Sequence, residues 1–386
     1  MRTINKNVVM LGWTSFFTDF ASAMINPILP IFVVTVLHEG MDKLGIIVAV
    51  ATFISYGLRV ISGYIADRYG VVKPLVVGGY LLSTLSKPLL GLTHGYKSIA
   101  LIKSFERLGK GVRSAPKDLM IAHYSQKNSS GKTFGFHKTL DIAGELSGTV
   151  FLFGMLYVFG QSEAVIRNIF YATLLPGIIG LVIVLFFVAD IPKPAAVYGR
   201  LSFKLTQNDK TVIKSLLFYF LFMMAALNDA FFTMQAKSVG IATLLVPLLF
   251  VVSTTMQTLT SYIIGVWTDK IGVKKIMLFA YLSGVFSQLL LYLQTPLFTW
   301  ISYGFLGLFT VASLNANRAY IAKSADNRGL IYGIFYAGIA LFGAVGAYLF
   351  GFVWEHYGMQ QALELSLIST VSITFLFLLR WKYLHG

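Results

Sequence analysis

The sequence predicts an all-α protein that crosses a membrane many times. Of its 386 residues, 56% are hydrophobic and only 12% are charged, which is too little charge to cover the surface of a soluble chain of this size. Apolar segments of about 20 residues, the length that crosses roughly 30 Å of hydrocarbon, recur along nearly the whole sequence. A transmembrane barrel would show alternating segments of about 10 residues instead, and these do not dominate.

The apolar segments define twelve predicted transmembrane helices, called spans 1 to 12 below. We place them at approximately 8–37, 44–66, 73–93, 97–123, 133–159, 166–189, 212–237, 242–267, 273–293, 297–323, 329–356 and 361–382. The first segment is too long for the apolar core of a signal peptide and lacks a small-residue cleavage site. We therefore interpret it as a retained span.

Positive charge is divided unevenly between the predicted loops. The chain has 31 Lys and Arg against 16 Asp and Glu, a formal charge of +15, and no cysteine. Most of the basic loop residues fall on one side of the predicted membrane, and the other side has only Lys43, Lys97, Arg167 and Lys237. The positive-inside rule then predicts that both termini are cytoplasmic. This distribution explains the basic composition better than nucleic-acid binding does, and the absence of cysteine excludes disulfides and thiolate metal sites.

Span 4 has an unusual number of charges. The stretch ERLGKGVRSAPKD, from Glu106 to Asp118, has four basic residues in eleven. If it were a cytoplasmic loop, the remaining residues 97–105 would be too short to span, and the basic loops around residues 68 and 130 would face opposite sides. We therefore predict one helix of about 40 Å from Lys97 to His123, with its cations inside the membrane.

Two halves of the chain share a signature. GYIADRYGVVK (63–73) follows span 2 and GVWTDKIGVKK (265–275) follows span 8, at an offset of 202 residues. The longest polar connection, at 190–211, separates six spans from six. The sequence thus predicts an N-terminal six-helix bundle at 1–189, a cytoplasmic linker at 190–211 and a C-terminal bundle at 212–386, and internal duplication on this scale is typical of secondary transporters.

The repeated loop resembles the best-known motif of the major facilitator superfamily, G-x-x-x-D-[RK]-x-G-x-[RK]-[RK]. RLGKG (107–111) is similar to that family's R-x-x-Q-G element on helix 4, with Lys110 in place of Gln, and Gly135, Gly144 and Gly148 match part of its antiporter motif. The stretches at 17–19, 107–122 and 134–141 look like a bacterial branch whose members are mostly named only as transporters. The resemblance implies two pseudo-symmetric bundles around a cavity lined by helices 1, 4, 7 and 10. It also implies a monomeric protein of the bacterial inner membrane that needs no cofactor.

The repeated motif predicts a structural gate that stabilises one of two transport states. Its glycines would allow close helix approach, and its carboxylates lie at helix ends, where they can cap a neighbouring helix. Arg68 and Lys73 are expected to pair with Asp118 at the inner end of span 4. The predicted gate residues are Gly63, Asp67, Arg68, Lys73, Asp118, Asp269 and Lys270.

A stripe of polar residues on span 4 predicts the substrate site. Lys103, Arg107, Lys110, Ser114 and Lys117 recur at spacings of three and four, so they share one face. Each charge facing lipid at mid-depth would cost about 2.5–3.5 kcal/mol, which favours a paired or water-filled interior. We expect Arg107 and Lys110 to bind an anion, assisted by Lys103, Arg59 and Arg318. Asn315 belongs to a neutral wall of amides and aromatic residues predicted in the C-terminal half.

Ionisable residues elsewhere in the first half predict proton coupling. Asp19 lies within span 1, and His137, Asp141 and Glu145 recur every four residues on span 5. Such chains of protonatable groups mark proton relays in membrane proteins. In the superfamily, the residue matched by Arg107 is itself associated with proton coupling.

Basic residues outnumber acidic ones within the predicted spans, which favours an organic anion over a cationic drug as substrate. We therefore predict a proton-coupled transporter of an organic anion, with a polycarboxylate such as a carboxylate-type siderophore as one example. Its partners would be the substrate, protons and the lipid bilayer. Multidrug–proton antiport is the main alternative, and divalent-metal transport through His137, Asp141 and Glu145 is a weaker one because Lys138 and Lys110 lie nearby. A membrane enzyme is disfavoured because H-E-x-x-H, G-x-S-x-G and Walker A motifs are absent.

Overall fold

The computed structural model describes residues 4–125, 130–191 and 205–380, and within these ranges the chain forms helices joined by short turns, without a strand. Spans 2 to 6 correspond to Met41–Tyr69, Lys73–Leu89, Tyr96–Tyr124, Ser130–Phe159, and the pair Glu163–Ala172 and Leu174–Phe187. Spans 8 to 12 correspond to Val246–Ile271, Val273–Tyr292, Pro296–Ser324, Arg328–Tyr357 and Met359–Leu379. The predicted all-α fold class is confirmed.

Spans 1 and 7 are interrupted helices. Span 1 runs over Lys6–Ala23, turns at residues 24–28 and continues as Leu29–Ile31 and a π-helix at Phe32–Val36. Pro27 lies in that turn, where it removes a backbone donor and disfavours helical geometry at the residue before it. Span 7 runs over Gln207–Ala225, is not helical at 226–228 and continues as Asp229–Ser238. The Asn228 side chain is the N-cap of this second helix, because it accepts a hydrogen bond from the Ala230 N–H.

Ten helical segments of the described chain are long and apolar enough to cross a membrane. The two predicted spans outside this set are spans 1 and 4. Span 1 has the interruption described above, and span 4 has too many charges. Both departures fall on helices that the sequence analysis assigns to function, which is where polar and broken helices are expected in transporters.

Contacts between helices divide the chain into two compact units. Unit 1 consists of Met1–Glu39 and Val50–Tyr198, and unit 2 consists of Gly40–Ala49 and Gly199–Gly386. The first residues of span 2 are thus grouped with unit 2. The predicted bundle boundaries stay a prediction, because much of the linker at 190–211 lies outside the described residues.

Helix ends repeat between the two halves of the chain. The first helix of span 1 ends at Ala23 and that of span 7 at Ala225, while span 2 ends at Tyr69 and span 8 at Ile271. Each of these pairs is 202 residues apart, the same offset as the repeated loop motif. The internal duplication read from eleven residues therefore extends to the positions at which these helices end and at which spans 1 and 7 are interrupted.

Candidate functional site: the charged interior of unit 1

A buried ion-pair cluster lies within span 4. Glu106 Oε2 lies 2.9 Å from Lys103 Nζ and 3.3 Å from Arg107 Nε, and the Glu106 side chain is only 3% exposed. Lys103 Nζ also lies 3.4 Å from Asn26 Oδ1, in the interruption of span 1. Two of the predicted substrate-binding cations therefore share one carboxylate. We call Asn26, Lys103, Glu106 and Arg107 the Glu106 cluster.

Asp19 faces the basic residues of its neighbouring spans. It is half-buried and is close enough to interact electrostatically with Lys87, Lys110, Lys117 and His137. Lys110 in turn interacts electrostatically with Glu106 and Arg107 of the Glu106 cluster. Lys110, a predicted substrate residue, and Asp19, a predicted coupling residue, are thus neighbours in unit 1.

A second polar network joins four spans around the Ser15 hydroxyl. Lys117 Nζ donates to Ser15 Oγ over 3.0 Å, and the Tyr80 hydroxyl lies 3.0 Å from the same oxygen. His137 Nε2 lies 3.2 Å from Ser15 Oγ, and His137 Nδ1 lies 3.4 Å from Asp141 Oδ1. These five residues form a network in which Ser15 of span 1 connects span 4 to span 5, with Tyr80 of span 3 as a side branch. We call it the Ser15 network.

The three predicted coupling residues of span 5 differ in exposure. His137 and Asp141 contact each other, with His137 buried and Asp141 half-buried, whereas the Glu145 side chain is exposed. The reason is helical drift, because eight residues turn an α-helix by about 80° more than two full turns.

Among the described residues no group of three His, Asp or Glu side chains is placed to hold a metal ion, so the structure does not support the divalent-metal alternative.

Two further basic residues act as links between helices. Lys87 is 1% exposed and donates to the Thr18 carbonyl oxygen over 2.8 Å, which joins span 3 to span 1. Arg113 donates to Ser83 Oγ over 2.6 Å, and its guanidinium lies 4.5 Å from the centre of the Tyr80 ring. Both side chains tie unit 1 together through contacts to neighbouring spans, which a basic residue facing lipid could not make.

The remaining predicted substrate residues occupy two separate surroundings. Arg59 lies within 3.4 Å of Ser114 Oγ and therefore reaches the span-4 stripe. In unit 2, Arg318 donates from one terminal nitrogen to the Tyr336 hydroxyl over 3.2 Å, while its Nε is buried without a hydrogen-bond partner among the described residues. Asn315 is half-buried on the same helix. Arg318 thus keeps donor capacity for a further acceptor.

Two of the predicted gate residues, Lys73 and Asp269, have contacts other than those predicted. Lys73 Nζ donates to the Leu185 carbonyl oxygen over 2.9 Å, which ties it to span 6. The Asp118 side chain is exposed. Asp269 accepts from Lys323 Nζ at 2.8 Å between spans 8 and 10, an exposed pair in place of the expected helix cap.

The other gate residues are placed as follows. A Cβ on Gly63 would lie 3.2 Å from Ala115 Cβ, consistent with close packing of spans 2 and 4, whereas a Cβ on Gly265 would meet nothing within 4 Å. The expected close approach at Gly265 is therefore wrong. Lys270 is exposed. The side chains of Asp67 and Arg68 lie outside the described residues.

Two of the three glycines of the antiporter-like pattern serve helix packing. A Cβ on Gly144 would lie 2.8 Å from Phe16 Cα, and a Cβ on Gly148 would lie 2.8 Å from Phe20 Cα, so spans 1 and 5 meet backbone to backbone. A Cβ on Gly135 would meet nothing within 4 Å. Close approach through small residues is a common way for membrane helices to associate, and it requires no role in the direction of transport.

Sequence reasoning missed four members of these networks: Asn26, Glu106, Ser15 and Tyr80. Glu106 was not assigned to the substrate site, although its spacing of three residues from Lys103 could have suggested that ion pair. Ser15 and Tyr80 have no sequence signal, because a hydroxyl within an apolar helix is usually satisfied by its own backbone. Their role becomes visible only when spans 1, 3, 4 and 5 are assembled.

Comparisons with known proteins agree with the fold and the repeat. The family model described as Major Facilitator Superfamily matches residues 11–235 and again 215–384. An uncharacterised MFS-type transporter, MJ1317 of Methanocaldococcus jannaschii, is 28% identical over 388 residues, which cover 96% of this chain and 94% of the relative. The multidrug resistance protein MdtH of Salmonella arizonae is 26% identical over 180 residues, 45% of this chain and 42% of that protein.

Solved structures show the same fold at low sequence identity. A mutant of the nucleoside transporter NupG superposes with a TM-score of 0.82 and 14% identity, covering 96% of this chain and 98% of that one. A POT family transporter bound to a thioalcohol-conjugated peptide superposes with a TM-score of 0.81 and 13% identity, covering 98% and 96%. At these identities the likeness concerns the fold alone.

Proposed function

The chain belongs to the major facilitator superfamily of membrane transporters, and on that premise we propose that it moves an organic anion across the bacterial cytoplasmic membrane together with protons. Both termini would lie in the cytoplasm, and the protein would work as a monomer by alternating access. A polycarboxylate, such as a carboxylate-type siderophore, is the substrate class that best fits several converging cations. Symport is the expected mode, because proton uptake by an acid that neighbours these cations would favour anion binding.

The charge of the unit 1 interior is the observation that supports an anion. Spans 2 to 4 have many basic side chains that lie away from the helix ends and are at least partly buried. Among the described residues these include Arg59, Lys87, Lys103, Arg107, Lys110, Arg113 and Lys117. The acids on spans 1, 4 and 5 with comparable burial are Asp19, Glu106 and Asp141. A cationic drug would be repelled by this excess, whereas a carboxylate can form charge-assisted hydrogen bonds with Arg and Lys.

Proton coupling is proposed through Asp19 and Asp141. Asp19 lies near Lys110 and Lys117, and Asp141 contacts His137 in the Ser15 network. Protonation of Asp19 would release its basic neighbours for an anion, and an ionised Asp19 would compete with that anion. By linkage, the same coupling free energy acts in both directions.

Multidrug–proton antiport is the second candidate, and the partial match to MdtH favours it. The glycine pattern adds little support, since Gly144 and Gly148 are occupied with packing against span 1 and Gly135 has no neighbour within 4 Å. A polyspecific cation site would also have to tolerate the positive interior of unit 1. The two candidates therefore predict opposite substrate charges.

Transport into proteoliposomes tests the proposal directly. With the outside acidic and the inside alkaline, we expect concentrative uptake of radiolabelled citrate, the polycarboxylate probe, and no gradient-driven movement of ethidium. Arg107→Ala and Lys110→Ala should abolish citrate uptake, while the matched change Lys97→Ala, at an exposed lysine on the same helix, should leave it unchanged. Ethidium extrusion without citrate uptake would replace the proposal with multidrug antiport.

The coupling residues are tested in the same vesicles. Asp19→Asn and Asp141→Asn should lose uptake driven by the pH gradient but keep citrate counterflow, which needs binding and conformational exchange without net proton movement. If both variants still concentrate citrate in response to the pH gradient, neither residue is the coupling site. Loss of counterflow as well would assign the residue to binding or folding.

A further inference from the structure

Arg107 forms an ion pair with Glu106, the preceding residue on the helix, which is poorly placed for such a contact. Adjacent residues on an α-helix point about 100° apart and do not normally face each other. The guanidinium nevertheless reaches Glu106 Oε2 through Nε at 3.3 Å. This contact uses a single nitrogen and lacks the two parallel hydrogen bonds of a strong Arg–carboxylate pair. It is therefore the weaker of the two ion pairs that Glu106 makes.

Glu106 can give up Arg107 without losing its charge compensation. Lys103 Nζ lies 2.9 Å from the same Glu106 oxygen at the favourable spacing of three residues. Removing a partner of a buried charge is strongly destabilising when it leaves that charge uncompensated, and Lys103 prevents this here. Lys103 would therefore continue to balance Glu106 while Arg107 turned to another acceptor.

The two basic partners also differ in accessibility. The Lys103 side chain is 7% exposed and that of Arg107 is 23% exposed. An incoming ligand can thus reach the guanidinium of Arg107 but not readily the ammonium of Lys103. Lys110, close enough to interact with both Arg107 and Glu106, lies where a second oxygen of a polyanion could bind.

We propose that Glu106 is a built-in counter-ion that occupies Arg107 in the empty transporter and is displaced from it by a carboxylate of the substrate. Glu106 is then a positioning residue that acts through Arg107 and weakens substrate binding, so that a bound anion can be released again. The inference rests on the proposed function for its ligand, but the ion pair itself can be tested without one.

The experiment measures how fast phenylglyoxal, an arginine-specific reagent, modifies Arg107 in the full-length protein in nanodiscs. Peptide mass spectrometry reports each arginine separately, so Arg113, which is 5% exposed and stacked on Tyr80, is an internal reference whose rate should not change. We expect Glu106→Gln to speed modification of Arg107 several-fold. Glu364→Gln, the same change at an exposed glutamate, should have no effect.

Citrate titration in the same assay tests the displacement. Glu106→Gln should lower the citrate concentration that half-protects Arg107 by about tenfold, a typical coupling between two ligands of one site, and Glu106→Asp should restore most of the difference. A merely structural role would weaken protection instead of strengthening it. If the Glu106→Gln substitution prevents folding, the Glu106→Asp variant alone still decides, because its shorter carboxylate should give an intermediate rate.

The outcomes separate the two proposals. Equal modification rates in the unsubstituted and Glu106→Gln proteins would overturn the counter-ion inference whatever citrate does. Faster modification of the variant without protection by citrate in either protein would leave Glu106 as a structural partner of Arg107. That result would overturn the displacement of Glu106 by the substrate and also the assignment of a polycarboxylate as substrate.

Discussion

Gly144 provides a direct test of how spans 1 and 5 are held together. We predict that Gly144→Ala destabilises unit 1, whereas Gly135→Ala, on the same helix and in the same glycine pattern, does not. The two substitutions add the same methyl group. They differ in surroundings, because the new Cβ would lie 2.8 Å from Phe16 Cα at position 144 and would meet nothing within 4 Å at position 135.

The magnitude follows from this geometry. Ordinary contact begins at 3.4 Å, so spans 1 and 5 would have to separate by roughly 0.6 Å or more to admit the methyl group. Overpacking of this kind costs about 1–3 kcal/mol, while Ala in place of Gly gains up to about 1 kcal/mol of helix propensity at either position. We therefore expect Gly144→Ala to be less stable than Gly135→Ala by about 2 kcal/mol, or roughly 4–8 °C in Tm for a unit of this size.

Thermal unfolding in detergent, followed by intrinsic fluorescence, measures this difference. Both variants should be monodisperse by size exclusion at low temperature, since the strain is local. Equal midpoints for the two proteins would refute the packing argument and return the glycines to a role in transport. A Gly144→Ala protein with normal stability but altered direction of transport would do so even more clearly.

Three other predictions concern single polar contacts. Ser15→Ala removes the hydroxyl at the centre of the Ser15 network. Gradient-driven citrate uptake should therefore fall about a hundredfold, the low end of what a positioned proton-transfer group contributes, while counterflow persists. Equal loss of uptake and counterflow would point to a folding defect. Asn228→Ala deletes the cap on the Ala230 N–H and should lower the free energy of unfolding by about 0.5–2 kcal/mol, whereas Asn228→Ser should keep most of the original stability. An Asn228→Ala protein as stable as the unsubstituted one would show that the cap is unimportant. Lys323→Gln should change stability by no more than about 1 kcal/mol, because its pair with Asp269 is exposed, and a larger loss would restore a structural gate there.

Much of the scaffold could be predicted from sequence because its signals are local and periodic. The length of apolar segments predicted eleven spans, and the parity of basic loops placed span 4 in the membrane despite its charges. The stripe from Lys103 to Lys117 keeps to one face because spacings of three and four average 3.5 residues, which drifts by only about 20° per seven residues. The same geometry accounts for the exposure of Glu145, because two steps of four drift by about 80°.

The networks could not be predicted, because they join residues that lie far apart in sequence. The Ser15–His137 contact joins residues 122 positions apart, and the Lys117–Ser15 contact joins residues 102 positions apart. Helical spacing alone would also have excluded the Glu106–Arg107 pair, since neighbours on a helix do not face each other. Which cation turns toward which carboxylate depends on the packing of spans 1 and 3 against span 4, and no periodicity in the sequence reports that packing.

The interruptions of spans 1 and 7 lie at equivalent repeat positions but have different side-chain contacts. Each has an asparagine at the same repeat position, Asn26 and Asn228, 202 residues apart. In unit 2 the amide oxygen of Asn228 caps the restarted helix by accepting from the Ala230 N–H, so its partner is backbone. In unit 1 the amide oxygen of Asn26 faces the ammonium of Lys103 and so joins the break to the charged interior. One backbone feature thus supports a side-chain-capped helix restart in one half and an ion-pair cluster in the other. For this reason the discrimination of substrate charge is expected to depend mainly on unit 1.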